Sequence, residues 1–245
     1  MNIVTIGDSN YFHCFQCLSK NVKKFYKKSL IVYDIGLKRK EKKLIDAQII
    51  PIKIKPEVDF SSFYKVDGYN SYISKSTHRP FCVRHYFNNF SEPMILIDVD
   101  CLFRERVEKS GFDIGITVRQ FKKTWMGGLN TGVLFFNRKV ELLIREWIED
   151  FKMKNIGDQQ ALFNILAKRI DFDDCDYNKI YNWKKIRIKI FRAEEYNDKT
   201  LKQGKIIHFA GIRHSKEIYE KLIYAIENNI DINKIVKQFC PHMNI

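Results

Sequence analysis

The 245 residues predict an α/β protein, a mostly parallel central sheet flanked by helices. Three observations carry that prediction. Short β-branched runs alternate with segments of helical period from the first residues onward. The runs end in Gly- or Asp-bearing turns. The most apolar of them, Met94 to Ile97, leads straight into two aspartates.

Asn2 to Ile6 reads as a buried strand stopped by Gly7, Asp8 and Ser9. From Tyr11, the apolar residues Phe12, Phe15, Leu18, Val22 and Phe25 recur at helical spacing with lysines opposite them. Leu30 to Tyr33 is a second strand, closed by Asp34. Ala47 to Ile54 is a third, and Pro51 assigns it to an edge or a bend. Residues 56–80 lack a period and read as loop with short helical pieces. Phe81 to Phe90 reads as a helix, and Asp113–Val118 and Gly132–Phe136 as strands flanking a loop that holds Gly128 and Asn130. Two helices follow, marked by Leu143, Trp147 and Phe151 and by Leu162, Ile165, Leu166 and Ile170. Lys205 to Phe209 is a late strand, and Lys216 to Asn228 the last helix. With no repeat and no low-complexity linker, residues 1–245 are expected to form a single domain.

The composition excludes bulk disorder, and no run approaches the roughly 18 apolar residues of a membrane-spanning helix. The start has no basic-then-apolar leader, and six scattered cysteines fit reduced thiols, so a soluble cytoplasmic protein is expected. The net charge of +14 is unevenly spread: residues 1–60 carry +6, 61–175 only +2, and 176–245 +6. Such ends could meet an anionic membrane surface, an acidic glycan or nucleic acid. No zinc-finger spacing or RNA-binding aromatic signature accompanies the charge, and a lysine-rich solvated surface is the plain alternative. Nothing in the sequence sets an oligomeric state.

The chemistry concentrates at strand ends. Asp98-Val99-Asp100 puts two carboxylates at the carboxyl end of an apolar strand, where open α/β sheets place their ligands. Neighbouring anions need a cation, and hard oxygen ligands favour magnesium or manganese; the competing reading is a cap on the next helix. His208 ends the late strand and could complete a mixed carboxylate and imidazole set, with Arg213, His214 and Lys216 behind it for phosphate oxygens. Asn130-Thr131-Gly132 could be only a turn into a core strand, and Asp158-Gln159 only a helix cap. Cys14-x-x-Cys17 lies in an amphipathic helix without a second pair, and His78 and His85 read as surface residues.

In order along the chain, NIVTIGD, LIDVDCLF, NTGVLFFN, GDQQALFN and IIHFAG, spanning residues 2–211, resemble glycosyltransferases of the GT-A fold. The likeness is to glycosyltransferase family 8, which includes glycogenin and bacterial lipopolysaccharide glucosyl- and galactosyltransferases. The resemblance implies the nucleotide-diphospho-sugar transferase form of the α/β fold, with a Rossmann-like sheet. It implies a metal-dependent, retaining transfer of a hexose from a nucleotide-sugar, UDP-glucose or UDP-galactose, to a hydroxyl of a glycan, glycolipid or protein. Asp98, Asp100 and His208 match the manganese ligands, with magnesium as the alternative ion. Thr5, Ile6, Gly7 and Asp8 match the loop around base and ribose, with Asp34 at the second strand end. Arg79 or Arg84, together with Val99, Thr131, Gly132 and Gly211, match donor contacts. Asn130, Asp158 and Gln159 match positions around the donor sugar. Under inversion Asp158 would take the acceptor proton; under retention Asp158 or Gln159 would position the sugar. The group commonly continues His-x-x-Gly-x-x-Lys-Pro-Trp, whereas HFAGIRHSK places His214 at the lysine and lacks Pro-Trp. Arg213, His214 and Lys216 are the substitutes. The competing class is a basic nucleic-acid or anionic-surface binding protein on an inactive transferase scaffold.

Overall fold

A computed structural model describes residues 1–52, 78–119, 128–154, 156–201, 203–209 and 215–239. Strand β1 (Asn2–Gly7) leads through a short 3-10 turn into helix α1 (Phe12–Tyr26). Next come β2 (Leu30–Asp34), α2 (Arg39–Lys42), β3 (Ala47–Pro51), α3 (Arg79–Asn89), β4 (Met94–Ile97), β5 (Cys101–Phe103), β6 (Ile114–Val118) and β7 (Leu129–Phe136). The chain continues through α4 (Glu141–Lys154), α5 (Asp158–Leu166), β8 (Ile180–Trp183), β9 (Ile186–Arg192), α6 (Ala193–Tyr196), β10 (Ile206–His208), α7 (Lys216–Glu227) and α8 (Ile232–Phe239).

Eight strands form one sheet in the order β3-β2-β1-β4-β7-β6-β9-β8. β3, β2, β1 and β4 are mutually parallel, and β6 is parallel to β9. β7 runs against both β4 and β6, and β8 against β9. The expected mostly parallel sheet is therefore present, with β7 and β8 reversed. Both faces are covered, which is why the central strands are buried at nearly every position rather than at alternate ones. Ile95 and Ile97 of β4 and Val133 and Phe135 of β7 point into a core shared with α1 and α7. Met94, Leu96, Leu134 and Phe136 point into the opposite core, shared with α3, α4 and α5.

A separate two-stranded ribbon pairs β5 with β10 antiparallel, setting Cys101 opposite His208. This ribbon positions the site, because it carries the late strand back to the residue after Asp100. The loop before β10 is rigidly tied: the Asp198 carboxylate accepts from Thr200 N (2.8 Å), Thr200 Oγ1 (2.6 Å) and Gly204 N (3.0 Å).

Most elements lie where the sequence places them, and β3 does sit at an edge and stop at Pro51. Three differences matter. β7 begins at Leu129, so Asn130 lies in the strand rather than in a loop. The second of the paired helices ends at Leu166, leaving Ile170 beyond it. β5, β8, β9 and the short helices are additional. β9 carries a legible period of two, with Ile186, Ile188 and Ile190 inward between Arg187 and Lys189. The expected loop over 56–80 falls mostly outside the described residues. The five described cysteines are free thiols, Cys14 and Cys17 among them, and no described helix is long and apolar enough to cross a membrane.

Candidate functional site

Because β1, β2, β4, β6 and β9 share a direction, their carboxyl ends, together with the start of the reversed β7, meet at one edge of the sheet. Asp98 follows β4 there, and its backbone N–H donates to Gly132 O of β7 at 2.8 Å. A turn closed by Cys101 N to Asp98 O (3.0 Å) then aims Asp100 at the ribbon, where the Phe209 N–H donates to Asp100 O (2.9 Å). His208 is thereby drawn onto the pair of carboxylates. Its Nε2 lies 3.3 Å from Asp100 Oδ1 and 3.7 Å from Asp98 Oδ2.

These separations suit ligands on one divalent ion, whose oxygen and nitrogen donors stand about 3 Å apart when each is about 2.1 Å from the metal. Among the described residues, the ligating atoms of Asp100, Cys101 and His208 all lie within 4.8 Å of one another. The expected set of Asp98, Asp100 and His208 shares two of these members, and Asp98 Oδ2 stands 3.7 Å from His208 Nε2. Cys101 is turned aside: its Sγ donates to Gly132 O at 3.9 Å, and burial beside Asp100 and Asp98 pushes the thiol up. Asp98 still offers Oδ2, the more open of the two carboxylates, while its Oδ1 is held by Arg79. Two carboxylates and an imidazole are a donor set that fits manganese or magnesium, with manganese favoured by the nitrogen.

Arg79 opens α3 and is buried, with Nη2 on Asp98 Oδ1 and Nη1 2.9 Å from Asp158 Oδ2. Burial works against its charge, but Asp158 and Asp98 more than offset that and keep it protonated. The two carboxylates respond in opposite directions. Burial opposes the charge on Asp98, yet Arg79 and then His208 hold it below the usual range. Burial, with the charge of Asp98 added, leaves Asp158 raised despite Arg79 and a hydrogen bond from Thr131. Asp158 is not the cap of its helix. Gly157 occupies that position, and Asp158 is the first helical residue, with its carbonyl accepting from Trp147 Nε1 at 2.6 Å. Gln159 sits beside it, its Oε1 3.4 Å from Thr131 N.

Gly132 is required by space rather than by backbone conformation. A β-carbon there would stand 2.7 Å from Asn130 Oδ1, 2.9 Å from Asp98 Oδ2 and 3.0 Å from His208 Cε1. Val99 between the aspartates is a core residue.

Other expected positions are less directly placed. Thr5 is fully buried and its hydroxyl donates to Ile97 O at 2.8 Å, bracing β1 against β4. Ile6 is buried in the core, and Gly7 lies under the Phe15 ring. Asp8 caps the 3-10 turn by accepting from Asn10 N at 3.0 Å. Asp34 accepts from Gly36 N (2.8 Å) and Leu37 N (2.6 Å); burial raises its pKa, but Lys42 and these donors hold it low overall. Arg84 is not brought to the cluster: it is exposed and lies over the Phe81 ring at 5.7 Å. Lys216 is likewise exposed, 3.4 Å from Glu220 on its own helix. Gly211, Arg213 and His214 lie outside the described residues. His78, expected at the surface, is buried, and burial pushes its imidazole down to about 4.

Sequence reasoning missed Asn197, Lys199 and Arg119. Asn197 is buried and touches His208 Nδ1 at 2.7 Å. Burial lowers the pKa of Lys199, as does Arg119, against the pull of Asp98, Cys101 and Asp100. These residues sit in or beside irregular segments, so no period marks them. The only sequence signal for Asn197 and Lys199 is a polar stretch, Asn197-Asp198-Lys199, between two strands, and Arg119 has none.

No protein-family model and no curated protein matches the chain. Solved structures do. The galactosyltransferase LgtC, in complex with donor and acceptor sugar analogues, superposes with a TM-score of 0.57 at 14% identity, covering 92% of this chain and 96% of that one. The glycosyltransferase GlyE of Streptococcus pneumoniae gives 0.54 at 14% identity, with 98% and 63% covered. A glycosyltransferase involved in glycosylation of the major capsid of PBCV-1 gives 0.52 at 9% identity, with 93% and 100% covered. The chain therefore has the GT-A glycosyltransferase fold, as the motifs led one to expect.

Proposed function

We propose that the protein is a metal-dependent hexosyltransferase that uses a nucleotide-sugar, UDP-glucose or UDP-galactose, and transfers the sugar with retention to a hydroxyl of a glycan or glycolipid. The observation that supports this reading is the meeting of Asp98, Asp100 and His208 at the carboxyl edge of a GT-A sheet. Asp100 and His208, with Asp98 Oδ2, would hold manganese or magnesium. When bound, such an ion offsets the charge that grows on the departing nucleoside diphosphate.

The protein's own groups orient and desolvate. Arg79 holds Asp98 and Asp158 at a fixed separation, and Asp158 and Gln159 at the start of α5 face the edge of β7 that carries Asn130 and Thr131. Asp158 is engaged by Arg79 and Thr131, which suits a residue that positions the sugar better than one that removes an acceptor proton. This favours retention. Lys199 and Arg119 bring positive charge to the carboxylates and are proposed to serve in place of the lysine missing after His208. The basic ends are read as peripheral contact with an anionic membrane. The nucleic-acid reading is disfavoured because the segment holding most of the site carries only +2.

The test is a thermal-shift and turnover screen of UDP-glucose and UDP-galactose with and without Mn²⁺. Stabilisation and hydrolysis or transfer should require the metal, and Asp100→Ala should lower turnover by about 10²-fold or more. Full activity in Asp100→Ala would sink the proposal.

A further inference from the structure

The His208 ring is held from behind by a chain of hydrogen bonds whose direction is fixed. The Gly132 N–H can only donate, and it donates to Asn130 Oδ1 at 2.9 Å. The atom of Asn197 that meets the same oxygen at 2.6 Å is therefore its amide nitrogen. That nitrogen also lies 3.0 Å from Thr117 Oγ1, whose own proton goes to the Asn130 carbonyl oxygen at 3.0 Å. With the nitrogen so placed, Asn197 Oδ1 is the atom that faces His208 Nδ1 at 2.7 Å, and an amide oxygen only accepts. Nδ1 carries a proton in consequence, and Nε2 is the nitrogen turned to Asp100 and Asp98.

We propose that Asn197 is a positioning residue that keeps a proton on His208 Nδ1, delivers Nε2 to the Asp98–Asp100 cluster as a ligand for a divalent cation, and ties that ligand to Asn130 at the sugar-side edge of β7. The cation part rests on the transferase reading above. The argument is local and geometric. Asn197 is 1% exposed, and its backbone N–H is fixed by Ala193 O at 2.7 Å, so its amide has no freedom to serve solvent instead. The next residue, Asp198, accepts from the His208 N–H at 2.8 Å, so ring and backbone of His208 are held by consecutive residues. A ligating imidazole whose far nitrogen is so anchored is fixed in both orientation and tautomer, an outer-shell role whose loss costs about 10–100-fold in metal affinity.

Two measurements test this. Nitrogen-15 spectra of the histidine rings in the full-length protein, with His208 assigned by comparison with His208→Gln, should show a protonated Nδ1 whether or not Nε2 is also protonated. A bare Nδ1 overturns the proposal. Mn²⁺ titration followed by electron paramagnetic resonance should show affinity reduced on the order of 10–100-fold in Asn197→Leu. In Asn197→Asp the carboxylate still accepts from Nδ1–H, but its second oxygen replaces the donor that meets Asn130 Oδ1, so ring spectra should keep the proton on Nδ1 while affinity recovers at most in part. Unchanged affinity in a folded Asn197→Leu, or a bare Nδ1 in Asn197→Asp, also overturns it. If Asn197→Leu does not fold, the wild-type ring spectrum still decides the proton on Nδ1. Neither readout needs turnover, so a protein that binds Mn²⁺ through His208 yet transfers no sugar would refute the transferase reading and leave this one standing.

Discussion

Two carboxylate clusters lie at opposite ends of the same sheet, and they are built differently. At the amino end of β6, Asp113 accepts from Arg138 Nε (2.8 Å) and Nη2 (3.0 Å) and from the Arg187 backbone N–H (2.8 Å), joining β6 to β9. Every oxygen has a directed donor and no second carboxylate competes. At the carboxyl end, Asp98 and Asp158 share one guanidinium, and Asp98 and Asp100 face one imidazole. Asp113 is a fastening, complete by itself. The other cluster draws three carboxylates onto one guanidinium and one imidazole, with Lys199 nearby, so its groups share partners instead of each being fastened separately. Asp34 and Asp198, saturated by backbone N–H groups, belong with Asp113.

The largest break in this comparison is Arg79→Ala. It leaves the buried Asp158 and the half-buried Asp98 without their shared cation, which costs about 3–5 kcal/mol. For a chain of this size each kcal/mol lowers the melting temperature by roughly 2–4 °C. Added Mn²⁺ should recover part of the loss by replacing the cation at Asp98, a recovery absent in Arg79→Ala combined with Asp100→Ala. Equal melting with and without metal would mean that the cluster does not recruit a cation.

Gly132→Ala is next. The added methyl presses on Asp98, His208 and Asn130 at once, and overpacking of this kind costs about 1–3 kcal/mol. Metal and donor affinity should fall at least tenfold in calorimetric titration, because the three side chains it displaces are the ones the ion and the sugar would use. Retained affinity would show that the carboxylates and imidazole do not act together. Asp113→Ala should do the reverse. Removing hydrogen bonds to a charged acceptor lowers stability by about 1–3 kcal/mol in denaturant unfolding, toward the low end because Arg138 and Arg187 remain hydrated, and leaves Mn²⁺ affinity unchanged.

The contrast between these clusters was only half legible in the sequence. Asp98 and Asp100 announce themselves because they follow four apolar residues, and the strands and helices around them follow from period alone. Arg79 stood beside Arg84 with nothing to separate them. Only the start of α3, which turns one arginine inward and leaves the other on a phenylalanine face, distinguishes the two. Gly132 gave no sign that its missing side chain makes room for Asp98 and His208. Asn197 was invisible because its role depends on β10 folding back onto β5, a pairing between segments about a hundred residues apart that no local pattern encodes.

The smallest effect separates the clusters by sign. Arg138, offset in part by burial, holds the Asp113 carboxyl at about 2, against 3.8 for an unperturbed one. The folded state therefore binds that proton less readily than the unfolded chain does. The stability Asp113 contributes is complete above about pH 4–5 and is lost as pH falls through its folded value. The gap in unfolding free energy between wild type and Asp113→Asn should stay constant at neutral pH and shrink below pH 4. Asp158 is shifted the other way, chiefly by burial, so the folded state binds its proton more readily. Relative to Asp158→Asn, the wild type should gain stability as pH falls through the Asp158 folded value, in a window above the usual carboxylate range. Parallel curves for the two variants would mean that both clusters are fastenings, whereas curves of opposite slope mark the carboxyl edge of the sheet as the part held in an unsatisfied state.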